Sequence, residues 1–227
     1  MHRILVFAAF SMTTAFGSNA ICVGTLPPGT YDNVEAPAGA VCTVSGSLVT
    51  GNIRADAYAV LHVFDSTVQG DIQAETAGVI QIMGNTVWGN IQIQNGGPNP
   101  DPNVIDTFVC NNILRDGNIQ IQNRTGGMVI GLGNGRNPII LAECHNNGNT
   151  LIKGNLEIQG NIVPDARAMG VSRNLVGGNL QFQKNTGSQR FKVVENNNIG
   201  NNLQCLENDQ PFTGGPNIAG KIQGQCF

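Results

Sequence analysis

A short alternation of apolar and polar residues recurs along the chain, each time after a Gly-Asn pair or a close variant. In residues 89–94 the apolar side chains Ile91 and Ile93 alternate with Gln92 and Gln94. This period of two predicts a β-strand with one buried face. Equivalent copies begin at residues 32, 51, 70, 89, 117, 154, 178, 201 and 220, and the first three gaps are 19 residues each.

Further apolar positions recur at the same spacing and predict more strands in each unit. Two residues apart, the columns Cys42, Leu61, Ile80 and Val44, Val63, Ile82 predict a second strand. A third apolar column, just before the next Gly-Asn pair, consists of Val49, Val68 and Val87. Each unit is therefore predicted to be one coil with two or three short strands.

A repeat of about 20 residues is typical of a solenoid, in which stacked units bury side chains that one unit alone leaves exposed. Parallel crossovers are right-handed, so the pattern predicts an all-β fold, a right-handed parallel β-helix of about nine coils in one domain, residues 21–227. Each Gly is expected to supply the positive φ of a tight corner. The polar residues beside it are expected to form a hydrogen-bonded ladder and are Asn33, Asn52, Asp71, Asn90, Asn118, Asn155, Asn179 and Asn202.

Residues 1–20 have the composition of a signal peptide. A short basic start is followed by an apolar run over residues 4–10, and small residues end the segment at Ser18 and Ala20. The run is too short for a membrane anchor, and no other segment is long and apolar enough to span a bilayer. The sequence therefore predicts a secreted protein, either extracellular or periplasmic.

The six cysteines of the chain predict disulfides, because an even number in an exported protein is typical of them. Cys22 lies just before the first coil, in which Cys42 is buried, and a bond between them would hold the N-terminal end. Cys205 and Cys226 lie in the last two coils and would hold the C-terminal end. No Cys-x-x-Cys motif indicates zinc. The two remaining cysteines, which stacking would bring together but whose pairing stays open, are Cys110 and Cys144.

Charge is scarce and unevenly distributed. Charged residues make up 12% of the chain, with nine acidic and two basic residues in 21–120 and six acidic and nine basic in 121–227. The two halves therefore carry about −7 and +3. The sequence has no run of basic residues and no aromatic residues interleaved with basic ones, so it does not predict nucleic-acid binding.

The outward positions of the first strand repeat amide side chains in two columns. Gln is not a favoured strand residue, and a flat row of amides suits an extended, hydroxyl-rich polymer such as a glycan. The alternative is that the amides hydrogen-bond to one another along the stack. The first column is Gln73, Gln92, Gln120, Glu157, Gln181, Gln204 and Gln223, and the second is Glu75, Gln94, Gln122, Gln159, Gln183 and Gln225. The candidate ligand-binding residues are Gln73, Gln92, Gln94, Gln120, Gln122, Glu157, Gln159, Gln181 and Gln183.

A catalytic function has less support. A polysaccharide lyase or hydrolase needs converging carboxylates, or carboxylates that hold calcium beside a basic residue. Asp56 and Glu75 are expected to stack near Arg54, but no such group recurs on one face. The sequence predicts no catalytic residue, metal site or cofactor, and it favours a non-enzymatic structural or glycan-binding protein, with the polysaccharide-active enzyme as the alternative. Trp88 is expected to lie on the outside of the solenoid.

The two ends of the predicted solenoid carry a family resemblance. The stretches Gly-Asn-Asn-Leu-Gln-Cys (200–205), Pro-Phe-Thr-Gly-Gly (211–215) and Gly-Lys-Ile-Gln-Gly-Gln-Cys (220–226) resemble the closing motif of a group of uncharacterised secreted repeat proteins, mostly bacterial. Residues 22–31 resemble the opening of the same group. The resemblance implies no activity. At the level of fold the chain is also similar to pectate-lyase-like β-helices, but their catalytic Asp and Arg residues have no counterpart here.

Overall fold

The structure is a computed structural model that describes residues 18–97, 105–131, 148–164, 167–187 and 192–226. Within these ranges every helix or strand element is a β-strand. In chain order the first strands are β1 (Ser18–Ile21), β2 (Gly24–Thr25), β3 (Thr30–Ala36), β4 (Val41–Ser45), β5 (Leu48–Val49), β6 (Ile53–Ala55), β7 (Val60–Phe64), β8 (Thr67–Val68), β9 (Ile72–Glu75), β10 (Ile80–Met83), β11 (Thr86–Val87), β12 (Ile91–Gln94) and β13 (Thr107–Cys110). They continue with β14 (Ile113–Leu114), β15 (Ile119–Gln122), β16 (Met128–Gly131), β17 (Thr150–Leu151), β18 (Leu156–Gln159), β19 (Met169–Ser172), β20 (Leu175–Val176), β21 (Leu180–Gln183), β22 (Lys192–Glu195), β23 (Asn198–Ile199), β24 (Asn202–Leu206), β25 (Phe212–Gly214) and β26 (Lys221–Gly224).

The strands stack in three parallel rows that form the faces of a β-helix. The first face consists of β1, β3, β6, β9, β12, β15, β18, β21, β24 and β26, and the second of β2, β4, β7, β10, β13, β16, β19, β22 and β25. The third face holds the two-residue strands β5, β8, β11, β14, β17, β20 and β23. Coil 1 begins at β3, and each later strand of the first face begins the next coil, which gives nine coils in the described residues. The predicted parallel β-solenoid is confirmed.

The apolar columns read from the sequence fill the interior in the predicted register. Ile72 pairs with both Ile53 and Ile91 on the first face, and Leu61 pairs with Cys42 and Ile80 on the second. All six side chains are fully buried. Because each strand alternates buried and outward positions, the core runs as one continuous cluster from Cys22 to Cys226.

The glycines of the Gly-Asn pairs have a different role from the predicted one. Neither Gly70 nor Gly89 has a positive φ. A Cβ on Gly70 would lie 2.6 Å from the carbonyl oxygen of Gly51, and one on Gly89 would lie 2.6 Å from that of Gly70. The expectation of positive φ at these glycines is therefore wrong, and glycine is required because successive coils approach too closely for a side chain. Positive φ occurs at another corner, for example at Asn95 and Asn123, both with φ of 55°.

The predicted asparagine ladder is confirmed. The Oδ1 atom of Asn33 accepts the backbone N–H of Asn52 at 2.9 Å, and Oδ1 of Asn52 accepts that of Asp71 at 2.8 Å. The same contact repeats along the column to Asn202. The ladder also begins one rung earlier than predicted, because Asn33 donates to Oδ1 of Asn19 in β1 at 2.8 Å.

Two further ladders, which the sequence analysis missed, lie inside the solenoid. In the second ladder the Asn112 amide is buried and donates to the Ile82 carbonyl at 2.8 Å and to Oδ1 of Asn149 at 2.9 Å. Its members stand two residues before the third apolar column, and that spacing is the signal that could have revealed them: Ser47, Ser66, Asn85, Asn112, Asn149, Asn174, Asn197 and Asn217. The third ladder is formed by Asn161, Asn185, Asn208 and Gln225.

Both ends of the solenoid are held by the predicted disulfides. Cys22 is bonded to Cys42 and Cys205 to Cys226, with Cα–Cα distances of 5.3 and 5.4 Å. Cys110 is also disulfide-bonded. Its predicted neighbour Cys144 lies outside the described residues, so their pairing stays a prediction. In the part of the chain that the structure describes, no helix could cross a membrane.

Candidate functional site

The first face presents the two glutamine columns in register. The repeated sequence Ile-Gln-Ile-Gln in β12 and β15 turns isoleucines into the core and leaves glutamines half-buried on the surface. Gln92 pairs with Gln73 on one side and Gln120 on the other, and Gln94 pairs with Gln122. Neighbouring strands are about 4.8 Å apart, so the amides form a regular grid along the solenoid.

In the first column the amides hydrogen-bond to one another. Gln73 donates to Gln92 at 3.5 Å, Gln92 to Gln120 at 3.4 Å, and Gln120 to the carboxylate of Glu157 at 3.1 Å. This relay ends at Glu157, because an ionised carboxylate only accepts hydrogen bonds. Mutual bonding, the alternative to ligand binding, therefore describes this part of the first column.

The second column is different. Gln94, Gln122 and Gln159 pair in register in three successive coils. Their side chains are only partly buried, and none makes a hydrogen bond to any residue that the structure describes. Each primary amide has two N–H donors and a carbonyl acceptor. Three coils thus present unused donors and acceptors in one row.

The two columns end differently from the prediction. Gln183 crosses to the first column and donates to Gln204 at 3.2 Å. Gln204 in turn donates to Gln223 at 2.8 Å, whereas Gln181 makes no side-chain hydrogen bond within the described ranges. The placement of Gln225 in the second column is wrong. Its Oε1 accepts the backbone N–H of Asn208 at 2.8 Å, so this side chain is the last rung of the third ladder.

The acidic candidates do not form an enclosed site. Arg54 contacts Asp56 through Nε and Oδ1 at 3.1 Å, and the arginine side chain is 64% exposed. Glu75 is exposed at the end of β9. An exposed ion pair of this kind contributes little to stability, and it stands on an open strand face rather than in a cleft that would enclose a sugar ring.

A shallow depression of about 350 Å³ lies at the ends of the second-face strands. The residues that line it are Ser45, Phe64, Asp65, Met83, Gly84 and Asn111. Of these described residues only Asp65 is ionisable, whereas glycoside hydrolysis uses a pair of carboxylates. The depression therefore gives the enzyme hypothesis no support.

A buried charge cluster lies at the corner between the first and second faces. Arg167 forms an ion pair with Asp106, whose Oδ2 also accepts the backbone N–H of Gly127 at 2.8 Å. Arg124 is fully buried, and burial lowers its pKa to about 10 although Asp106 opposes this shift. With Asp106 fully buried and Arg167 nearly so, these groups are closed to a substrate.

Arg124 occupies the position at which the third ladder ends. Its backbone N–H donates to Oδ1 of Asn161, as the next rung would. Its guanidinium donates through Nη1 to the carbonyls of Ala77 and Asn95, both at 3.0 Å, and through Nη2 to that of Gly78 at 2.6 Å. The charge cluster is thus a structural part of the corner.

Trp88 is 53% exposed on the edge of the third face, which confirms its predicted outward position and separates it from the glutamine columns. Among the described residues no group of three or more His, Cys, Asp and Glu side chains is placed to hold a metal ion. Comparison of the chain with protein families, curated proteins and solved structures found no match.

Proposed function

We propose that this protein is a secreted, non-catalytic β-solenoid that binds an extended, hydroxyl-rich polymer, a polysaccharide or cell-surface glycan, along its first face. The observation that carries the proposal is the row of amides at Gln94, Gln122 and Gln159, which make no side-chain hydrogen bond to the part of the chain that the structure describes. Glutamine is not among the favoured strand residues, so its repeated use at these outward positions needs a reason. In the first column mutual hydrogen bonding supplies that reason, whereas Gln94, Gln122 and Gln159 in the second column do not bond to one another.

The chemistry of the row fits sugar hydroxyls. A hydroxyl both donates and accepts, and so does each glutamine amide. A single hydrogen bond of this kind contributes on the order of 1 kcal/mol. Useful affinity therefore requires several coils to contact one polymer, which favours an extended ligand that lies along the solenoid axis.

A glycan array and an affinity gel test the proposal. We expect the protein to be retained by at least one polysaccharide, and the triple variant Gln94→Thr, Gln122→Thr, Gln159→Thr to bind it at least ~10-fold more weakly, because three contacts are lost. Threonine suits strands, so the melting temperature should stay near that of the wild type.

The matched control replaces three residues of the first column, Gln73, Gln92 and Gln120, by threonine. This variant loses hydrogen bonds within the protein and should melt earlier, with a smaller loss of binding. Equal losses of polysaccharide binding in both variants, or normal binding by the second-column variant, would show that the amides of Gln94, Gln122 and Gln159 do not contact the ligand.

A polysaccharide-active enzyme is the weaker proposal. The exposed pair Arg54–Asp56 and the open position of Glu75 offer a charged patch beside the glutamine columns, but among the described residues no enclosed pair of carboxylates accompanies it. Product formation from a polysaccharide retained by the protein, measured as new reducing ends or unsaturated uronic acids, would favour the enzyme.

Export rests on the leader-like composition of the first residues and on the disulfides, which are typical of oxidising compartments. Strand β1 affects where the leader would end. Cleavage after Ala20 would remove three of the four residues of β1, including Asn19, the first rung of the ladder. Cleavage after Gly17 retains the whole strand and also has small residues, Ala15 and Gly17, at the positions that signal peptidase reads.

We therefore expect the exported protein to begin at Ser18. N-terminal sequencing and the intact mass of the secreted chain distinguish the two sites. A chain that begins at Ile21 would show that the solenoid forms without β1 and that the first ladder starts at Asn33.

A further inference from the structure

The third face carries an exposed apolar patch. Trp88, Ile113, Ile152 and Leu175 are 53%, 43%, 47% and 48% exposed, and together they define the third-face patch. The alternate positions between them, such as Val87 and Leu114, are fully buried, so the four side chains point outward by the strand alternation.

Strand register shows that the patch is contiguous. One outward column runs through Thr86, Ile113, Thr150 and Leu175, which pair in that order. Two residues further along each strand, a second outward column runs through Trp88, Arg115, Ile152 and Gly177. Each coil from coil 3 to coil 6 therefore contributes one large apolar side chain, two from each column.

Along the solenoid the patch is bounded by polar residues and one glycine. Before it, the same two columns hold Thr67 and Gln69, and after it they hold Asn198 and Gly200. An exposed apolar patch with a polar rim marks a surface for protein association. Branched aliphatic side chains outnumber the single aromatic ring, which suits a protein partner better than a sugar.

We propose that the third-face patch is the interface of a homodimer in which two copies pack third face to third face with their solenoid axes antiparallel. The two-fold axis passes between coils 4 and 5, so coil 3 of one copy faces coil 6 of the other, and coil 4 faces coil 5. Two-fold symmetry makes every such contact occur twice.

This arrangement places large side chains opposite small or polar ones. Trp88 faces Gly177 of the second copy, where no side chain obstructs the indole. Leu175 faces Thr86, and Ile113 faces Thr150. Ile152 faces Arg115, whose aliphatic stem can cover an apolar surface while its charged end stays in water.

Charge complementarity favours the antiparallel orientation. Asp116 and Lys153 stand at the edge of the patch in coils 4 and 5 and form an exposed ion pair within one chain at 2.7 Å. In the dimer, coil 4 faces coil 5, so Asp116 of each copy lies opposite Lys153 of the other. The half of the chain with about −7 charges also faces the half with about +3.

Sedimentation and light scattering of the purified protein test the interface. We expect a dimer for the wild type and a monomer for Ile152→Arg, which places a second positive charge opposite Arg115. The matched control Gln92→Arg adds the same charge to the first face and should remain dimeric. Circular dichroism and the melting curve should show that both variants are folded.

Cysteine cross-linking tests the orientation. A mixture of Thr86→Cys and Leu175→Cys proteins should form a disulfide-linked dimer, because these positions face each other between coils 3 and 6. A mixture of Thr86→Cys and Trp88→Cys, which would face each other only in a parallel dimer, should not. A monomeric wild type, a dimer that survives Ile152→Arg, or the reverse cross-linking result would overturn the proposal.

Discussion

Replacement of Arg124 by methionine should lower the free energy of unfolding by about 3 kcal/mol, because three carbonyls, one buried and two partly buried, lose their donor together. The guanidinium is fully buried, and its pKa of about 10 keeps it charged at neutral pH. It bonds carbonyls in two different coils, at Ala77, Gly78 and Asn95. Methionine fills much of the same volume and removes the cost of a buried charge, but it leaves those carbonyls without hydrogen bonds.

Two further variants separate geometry from charge. Arg124→Lys keeps the charge but presents one compact ammonium instead of a planar guanidinium. Its free energy of unfolding, measured by urea titration, should therefore lie between those of the wild type and Arg124→Met. Arg54→Met removes an exposed arginine and should change stability by less than about 0.5 kcal/mol. If Arg124→Met is as stable as the wild type, the hydrogen bonds of Arg124 merely offset the cost of burying its charge.

The first three coils were predictable almost residue by residue. They align without gaps, so the columns at Ile53, Ile72 and Ile91 appear in the sequence as they stack in the structure. Register follows because a slip of one residue would turn every isoleucine outward. The same regularity predicts the glutamine columns, since Gln92 and Gln94 alternate with Ile91 and Ile93, which must be buried.

Other features depended on information that spacing alone does not carry. The residues of the second ladder, such as Asn112, look like ordinary turn asparagines, and only the closed coil shows that their amides turn inward. Arg124 lies in the unit of 37 residues that begins at residue 117, which does not align with the 19-residue units, so no column predicts its partners. The glycines were correctly identified as architectural, but the reason is the approach of one coil to the next, which a single unit does not reveal.

Gln94 and Gln92 illustrate the same limit at the candidate site. Their outward positions followed from the alternation, yet the sequence left both mutual bonding and ligand binding open for the two columns. Only side-chain geometry separates the self-bonded Gln92 from the unpaired Gln94. The orientation of each amide side chain depends on its neighbours in the adjacent coils, and the sequence alone does not show which of them it contacts.

Removal of the C-terminal disulfide should lower the free energy of unfolding by about 3 kcal/mol, the value expected for a loop of about 20 residues. Cys205 and Cys226 are separated by 21 residues and join coil 8 to the last strand. Among the described strands β26 pairs only with β24, and it is largely exposed. Apart from this pairing it is held by the disulfide and by the side-chain hydrogen bonds of Gln223 and Gln225. The variant Cys205→Ala, Cys226→Ala should therefore melt earlier than the wild type.

The part of the chain in which hydrogen exchange accelerates shows whether the disulfide stabilises only its own end or the whole solenoid. In a solenoid each coil contacts only its neighbours, so loss of the disulfide should let unfolding begin at the open end. Hydrogen exchange should accelerate in residues 202–226 and stay slow in coils 2–4. The matched variant Cys22→Ala, Cys42→Ala, whose residues are separated by 20, should show the mirror result, with faster exchange at β1 and β2. Uniform acceleration along the chain in either variant would mean that the disulfides stabilise the solenoid as one cooperative unit and that its ends are not weak points.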